Sequence, residues 1–328
     1  MYYIYHQEHN FLKTNLGEPH WVSAIIPVYG KKISTIGTTI RNVQNQSYDQ
    51  LEIIIVSNGV PEIQVLANIE DRKNVRVVCI DKNMGAAYAR NQGARVARGS
   101  ILWFIDSDVF DIPDQSASLA VEQFKKNPRL GSLGGIIYPD KQFSYFVIGR
   151  LKYRFVEKQF ERGQELIDDD FVNTACIFVL REAFNKINGF TDFIEYPFDD
   201  VDFGFKLCAA GYRCAGLFSC SGRHPLYSAN NAVFYQFMSM HNMLLYLALN
   251  FDVKTFTRLL KRKQETGWKI SPPTSSSSVF VRLFEQFRRV AGMLWAFFHL
   301  LRHFWTVWKL RNERQKFLKF AFANKGAL

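Results

Sequence analysis

The chain has 328 residues, 48% hydrophobic and 22% charged, enough apolar material for one large domain with an appendage or for two ordinary domains, and too much for wholesale disorder. The formal net charge is +11, but Val279 to Leu328 holds ten Lys/Arg against two acids, so +8 of it sits in the last fifty residues and the body is near neutral. This argues against a diffuse polyanion-binding body and for a localised anionic partner of the tail, a lipid surface or nucleic acid. Cys79, Cys176, Cys208, Cys214 and Cys220 form no C-x-x-C pair, so buried free thiols in a reducing compartment are expected rather than a metal or redox site. The opening "MYYIYHQEHNFLK" lacks the basic stretch and apolar core of a signal peptide, and a cytoplasmic location is expected.

After an N-terminal arm (1–20), "WVSAIIPVYG" (Trp21 to Gly30) reads as a buried strand that ends in a loop. A helix is predicted for roughly Ser34 to Asn45. The apolar runs "LEIIIVSNG" from Leu51 and "VRVVCI" from Val75 are two more strands, and the Ala-rich Gly85 to Ala97 is a helix. "ILWFI" (Ile101 to Ile105) is a fourth strand, and it runs straight into Asp106 and Asp108. Strands are also expected in "GSLGGIIYP" and "TACIFVLRE", and a helix in "DDVDFGFKLCAAGY" (Asp199 to Tyr212). Residues 226–270 read as helical, and "SPPTSSSS" (271–278) as a linker.

Strands apolar on both faces and alternating with helices imply an α/β fold, a mostly parallel central sheet covered on both faces. Ligands of such sheets gather beyond the carboxyl ends of the strands. The loops at Pro27 to Tyr29, Ser57 to Gly59, Asp81 to Asn83 and Asp106 to Asp108 therefore converge on one edge. Two carboxylates one residue apart can hold a divalent cation through oxygen, which would neutralise a leaving diphosphate; a solvated turn is the plainer alternative. The acidic run Asp168 to Asp170 reads as such a solvated loop.

The motifs "AIIPVYG", "EIIIVSNG", "KNMGAAYARNQG", "WFIDSDV", "NGFTDF" and "DDVDFGFKLCAAGYR" occur in the order and approximate spacing of family 2 glycosyltransferases, and from Trp21 to His224 the chain resembles that family. The resemblance implies a Rossmann-like GT-A fold and an inverting transfer from a nucleotide sugar. It implies Asp106 and Asp108 as ligands of Mn²⁺ or Mg²⁺, with Ser107 between them against the donor diphosphate and His224 of "GRHPLY" completing the metal site. Pro27, Val28 and Tyr29 would lie against the nucleoside, and Asn83 and Gly85 would let backbone approach it. Many members have an aspartate where this chain has Ser57 and Asn58; both can hydrogen-bond an amide edge, which keeps uridine as the expected base. Arg90 would reach the base or a phosphate. An inverting transfer needs a proton acceptor on the face opposite the leaving group, and the second acidic group supplies it: Asp200 first, Asp199 second, with Asp202 expected to cap its helix. Asn173 to Cys176 match a segment that lines the sugar pocket.

The catalytic domain is thus expected over 21–225, a helical extension over 226–270 and a basic amphipathic region over 279–328. In the last of these, Phe, Trp and Leu recur at three and four from Phe280 to Trp308, flanked by cations. This pattern suits a helix lying in an anionic membrane interface, on the inner face of the cell membrane. Spanning would place Arg302 in hydrocarbon at about 2.5–3.5 kcal/mol. The acceptor expected with such a tail is a glycan or lipid-linked sugar, as in polysaccharide biosynthesis. A continuous aromatic stripe does not suit base stacking, so nucleic acid is not expected. The alternative reading is a non-catalytic nucleotide-sugar or membrane-surface binding protein on the same fold, which would have no use for the second acidic group.

Overall fold

The computed structural model describes residues 21–30, 35–66, 69, 74–137, 143–149, 152–158, 166–169, 171–194, 196, 198–225 and 232–251, and, nearer the C-terminus, 287, 290–291, 294–295, 297–302 and 304–323. The expected arm (1–20) and linker (271–278) lie outside the described residues, as do 252–270 of the expected helical extension.

In chain order the first half gives β1 (Val22–Val28), α1 (Ile36–Gln44), β2 (Leu51–Asn58), α2 (Glu62–Leu66), β3 (Val75–Ile80), α3 (Ala86–Val96), β4 (Ile101–Ile105) and α4 (Ser116–Lys126). Then follow β5 (Leu130–Gly134), β6 (Ile136–Ile137), β7 (Phe143–Gly149), β8 (Lys152–Lys158), β9 (Ile167–Asp169), β10 (Cys176–Leu180) and α5 (Arg181–Lys186). Last come α6 (Asp199–Ala209), β11 (Arg213–Gly216), β12 (Gly222–Arg223), α7 (Ala232–Asn250) and α8 (Phe304–Ala323). The main sheet has eight strands in the order β3-β2-β1-β4-β10-β5-β11-β9. β3, β2, β1 and β4 run parallel, as does β11 beside β5, whereas β10 lies antiparallel between β4 and β5 and β9 is antiparallel on β11. A smaller sheet, β12-β6-β7-β8, stands beside it.

The period-2 alternation of the strands splits the core into two layers. Val22, Ala24, Ile26 and Val28 of β1 pack with Ile36, Ile40 and Val43 of α1 and with Ala117, Val121 and Phe124 of α4. Ile25, Ile54 and Val56 face the opposite layer, built from the alanines of α3, Phe184 of α5 and Phe203 and Leu207 of α6. Strand order reverses at β1, whose neighbours are β2 and β4, so the crevice at the carboxyl ends of β1 and β4 is the switch point where this architecture takes ligands. A third apolar cluster joins Ile194, Phe198 and Val201 to Leu244, Tyr246 and Leu247 of α7 and to Val307 of α8. The C-terminal helix therefore packs on the catalytic domain with one face.

Three of the five cysteines are buried and all five are free, but Cys79 is exposed, against the expectation of burial. It sits on β3, which pairs only with β2 among the described strands. Asp168, expected in a solvated loop, belongs to the edge strand β9 and pairs with Arg213.

α3 lies close enough to the sheet that a Cβ at Gly93 would meet Ile25 Cγ2 at 2.4 Å and Val56 Cγ2 at 3.0 Å. Both methyls belong to β-branched side chains fixed in the core, so Gly93→Ala forces α3 outward. Overpacking costs about 1–3 kcal/mol, against about 0.5–1 kcal/mol returned by replacing a helical glycine. The variant is expected to unfold at lower urea concentration than wild type; an unchanged or higher midpoint would show that α3 lifts off the sheet freely.

Candidate active site

β4 is fully buried and carries the chain to Asp106, the first residue with side-chain access to the crevice. The turn is held from three sides. Asp106 N–H donates to Ala175 O at 2.8 Å, and Val109 N–H returns to Asp106 O at 3.1 Å. The Ser107 carbonyl accepts from the hydroxyls of Thr35 (2.8 Å) and Thr39 (2.9 Å), and Thr39 also reaches Val109 O. Ser107 itself is buried, spaces the two carboxylates, and among the described residues its hydroxyl has no hydrogen-bond partner. The hydroxyls of Thr35 and Thr39 were not legible as site residues, because nothing in a helix start announces a bond to a loop some seventy residues away.

His224 is brought to this turn by a bridge between Phe110 and Arg223, whose backbone groups exchange hydrogen bonds of 2.9 and 2.7 Å. Gly222 permits the approach, since a Cβ there would lie 2.3 Å from Val109 Cγ1. Asp106, Asp108 and His224 then each offer one ligand atom, all within 4.8 Å of one another. The His224 ring is oriented by Nδ1, 3.0 Å from Pro225 O. A carbonyl only accepts, so Nδ1 carries the hydrogen, and Nε2 faces Asp108 Oδ1, 3.6 Å away. That gap is too long for a hydrogen bond, and two carboxylates with one imidazole are a donor set that suits a divalent ion such as Mn²⁺.

The second acidic group enters through an unusual backbone. Phe198, the residue before α6, has φ +100°, a conformation that costs a residue with a Cβ about 1–3 kcal/mol, and it is held there by burial among Ile194, Val201 and Tyr246. Asp199, Asp200 and Asp202 all lie in the first turn of α6, where the helix dipole favours negative charge. Asp199 is buried and committed: its Oδ2 accepts from Arg90 Nη1 at 2.8 Å and from Thr174 Oγ at 3.2 Å. Asp200 is half-buried and accepts from the N–H of Val201 at 2.8 Å. Burial and then the neighbouring charge of Asp199 push its carboxyl up to about 7. Of the two expected base candidates, Asp200 is thus the one poised to take a proton near neutral pH. Asp202 does not cap α6, because the helix starts three residues before it and the N-cap position is Phe198; it is buried against Arg314 of α8.

Arg90 departs from expectation. Its guanidinium is buried, over the Phe190 ring, and bridges Asp106 Oδ1 (2.7 Å) and Asp199 Oδ2 (2.8 Å). Burial pulls its pKa down, but the two carboxylates outweigh this and the net shift is upward, so it stays charged. It ties the two acidic groups together from inside and does not reach for a base or phosphate. Ser57 and Asn58 are likewise turned inward. The Ser57 hydroxyl donates to Val60 O at 2.5 Å, and Asn58 Nδ2 donates to Asn83 Oδ1 and Gly85 O while its Oδ1 accepts from Met84 N–H. With their donors spent and both side chains buried, these two residues shape the loop and are not placed to read a base edge. Asn83 accepts also from Gly85 N–H, so it too holds that loop, and Asn173 accepts from Ala175 N–H in a local turn. Pro27 and Val28 are buried, whereas Tyr29 presents 41% of its surface at the end of β1.

Residues 23–187 match the family model described as glycosyl transferase family 2. The chain is similar to the glucosyl-dolichyl phosphate glucuronosyltransferase of Haloferax volcanii, 31% identical over 122 residues, 36% of this chain and 39% of that protein. It is also similar to the poly-beta-1,6-N-acetyl-D-glucosamine synthase of Staphylococcus aureus, 28% identical over 207 residues, 61% of this chain and 48% of that one. The chain thus spans less than half the length of these curated relatives. Among solved structures, mannosyltransferase PcManGT from Pyrobaculum calidifontis, in complex with GDP-Man and Mn²⁺, aligns with TM-score 0.56 at 15% identity over 94% of this chain and 87% of that one. TarS 1-349 of S. aureus in complex with UDP aligns with TM-score 0.53 at 14% identity over 84% and 80%. These likenesses carry the fold, which is GT-A. With half of its length matched by the family model, and the acidic turn at the end of β4 inside that half, the chain belongs to glycosyl transferase family 2.

Proposed function

We propose that this protein is a metal-dependent, inverting glycosyltransferase that moves a sugar from a nucleotide-sugar donor to a glycan or lipid-linked acceptor at a membrane surface. The observation that carries the reading is the convergence of Asp106, Asp108 and His224, tied through Arg90 to the helical turn that carries a separate, half-buried carboxyl, Asp200. A divalent cation held by the first three, Mn²⁺ or Mg²⁺, would supply charge neutralisation for the departing diphosphate. The chain's own residues do the rest. Arg90 holds Asp106 and Asp199 at a fixed separation, so the cation ligands and the base helix share one reference point. Asp200 accepts the proton of the acceptor hydroxyl as its oxygen bonds to the anomeric carbon and the nucleoside diphosphate leaves from the opposite face. Tyr29 is the exposed ring at the mouth of β1 on which the base can lie. A UDP-sugar is the first donor to test and a GDP-sugar the second, since each nucleotide is bound by a structural neighbour.

The membrane reading rests on the C-terminal region. Phe298, Leu301, Phe304, Trp305 and Trp308 are each at least half exposed, Trp305 at 75%, and Arg302 and Lys309 are exposed beside them. Among the described residues no helix is long and apolar enough to cross a membrane. Large aromatic rings with interspersed cations suit an interfacial helix on an anionic leaflet, with the protein peripheral at the inner face of the cell membrane.

Donor hydrolysis should require Mn²⁺ or Mg²⁺ in wild type and fall by about 100-fold or more in Asp106→Ala and Asp108→Ala; activity unaltered by chelator or by either substitution would remove the cation from the reaction. The rate should rise with pH through about 7 as Asp200 loses its proton. Because its folded pKa lies above the unfolded value of 3.8, the folded state holds the extra proton, and this carboxyl lowers stability progressively between the two values. Asp200→Asn is therefore expected to bind donor, to turn over poorly, and to melt higher than wild type at pH 7.5; near-normal turnover would place the base elsewhere. Co-sedimentation with vesicles containing phosphatidylserine should exceed binding to duplex DNA at matched salt and weaken in a Trp305→Ser, Trp308→Ser double variant; stronger DNA binding would reverse the assignment of partner.

A further inference from the structure

The two faces of α8 do different things. Phe304, Trp305 and Trp308 point outward, while Val307, Leu310, Arg311 and Arg314, spaced at three and four, turn toward the catalytic domain. Arg311 donates to Ala248 O of α7, and Gln315 to Asn250 O. Arg314 reaches further. Its Nη1 donates to Asp202 Oδ1 and, at 2.8 Å, to Asn250 Oδ1, while its Nη2 donates to Thr191 Oγ at 2.6 Å and to Asp202 Oδ2 at 3.2 Å. The circuit is closed by the Thr191 hydroxyl, which donates to Asp202 Oδ2 at 2.6 Å. The Asp202 and Arg314 side chains are 1% and 10% exposed, so solvent does little to weaken the pair.

Asp202 stands three residues after Asp199, and residues at that spacing share one side of a helix. The first turn of α6 is thus gripped on that side by two arginines from different parts of the chain, Arg90 on Asp199 and Arg314 on Asp202. Asp200, rotated by roughly 100° from Asp199, lies off that side. The same turn begins at Phe198, whose left-handed backbone persists only where its surroundings enforce it. Part of that enforcement also comes from the C-terminal region: Val307 packs in the cluster with Phe198, and the His299 ring stacks on Phe193 at 5.1 Å while its Nδ1 lies 2.7 Å from His241 Nε2.

We propose that Arg314 is a positioning residue for the transfer reaction: by clamping Asp202, Thr191 and Asn250 it fixes the first turn of α6 and with it the direction of the Asp200 carboxyl. The helix that bears the exposed aromatic face is then a structural part of the catalytic centre. Arg314 touches neither donor nor acceptor in this scheme. The proposal rests on the reading of Asp200 as base, and its test separates the two.

Wild type, Arg314→Ala, Arg314→Lys and, as a control on the same helix, Glu313→Gln would be compared in Mn²⁺-dependent hydrolysis of whichever UDP- or GDP-sugar wild type turns over. A displaced base costs turnover: kcat is expected to fall about 10–100-fold in Arg314→Ala, with KM for the donor and Mn²⁺ affinity within about twofold of wild type. Arg314→Lys keeps the charge without the fork and should lie between, guanidinium at millimolar concentration should restore part of the loss in the alanine variant, and Glu313→Gln should match wild type. A second readout needs no turnover: carbodiimide modification of Asp200, followed by mass spectrometry at a temperature where every variant is folded, should change several-fold in Arg314→Ala. If wild type hydrolyses no donor, that labelling change alone upholds the positioning role while the transferase reading fails. An Arg314→Ala protein that melts lower but retains wild-type kcat and Asp200 labelling would reduce Arg314 to a structural pin and overturn the proposal.

Discussion

The arrangement depends on one buried guanidinium. Arg90 places a positive charge between a carboxylate at the end of β4 and a carboxylate at the start of α6, groups separated by more than ninety residues of chain. Without a cation at that point the two acids would repel across a medium that screens charge poorly. A buried ion pair of this kind is weak evidence for stability, since replacement by apolar groups is often neutral, whereas removal of one partner costs about 3–5 kcal/mol. What Arg90 supplies is geometry. Two acidic groups, the turn after β4 and the first turn of α6, are kept at a set separation by a group that belongs to neither.

That division explains the contrast between Asp199 and Asp200. Adjacent in sequence and in the same helical turn, they meet different surroundings: one is answered by an arginine and a threonine, the other by backbone N–H groups and by the charge of its neighbour. Asp199 thereby helps raise the proton affinity of Asp200. The alternative of a binding protein that kept the fold gives no reason for this asymmetry.

Much of the fold was legible because the first four strands are continuous apolar runs with sharp polar ends, and a strand apolar on both faces leaves little choice but a covered sheet. β1, β2, β3 and β4 lie where the runs "SAIIPV", "LEIIIVSN", "VRVVCI" and "ILWFI" put them, and Asp106, Asp108 and His224 meet as the resemblance implied. The direction of side chains was not legible. Ser57, Asn58 and Arg90 have the hydrogen-bonding groups to meet a nucleotide, but each is buried and spends them within the protein, and residue type alone does not distinguish a loop builder from a ligand. Asp202 looked like a helix cap because its true partner, Arg314, is 112 residues away in a segment that read as an independent membrane-binding region. The apolar stripe was real, but the helix has a second face, and polar residues spaced among aromatic ones gave no sign of which of them would be buried.

The bridge between Phe110 and Arg223 has a consequence for how this chain can be divided. The stretch that establishes kinship, 23–187, contains the acidic turn yet stops short of Asp200 and His224. A fragment cut at the end of that stretch would keep the switch point and lack both the His224 imidazole and the Asp200 carboxyl. Shared ancestry and the candidate site therefore have different borders here, and the second border is drawn by a two-residue strand with a glycine small enough to let it in.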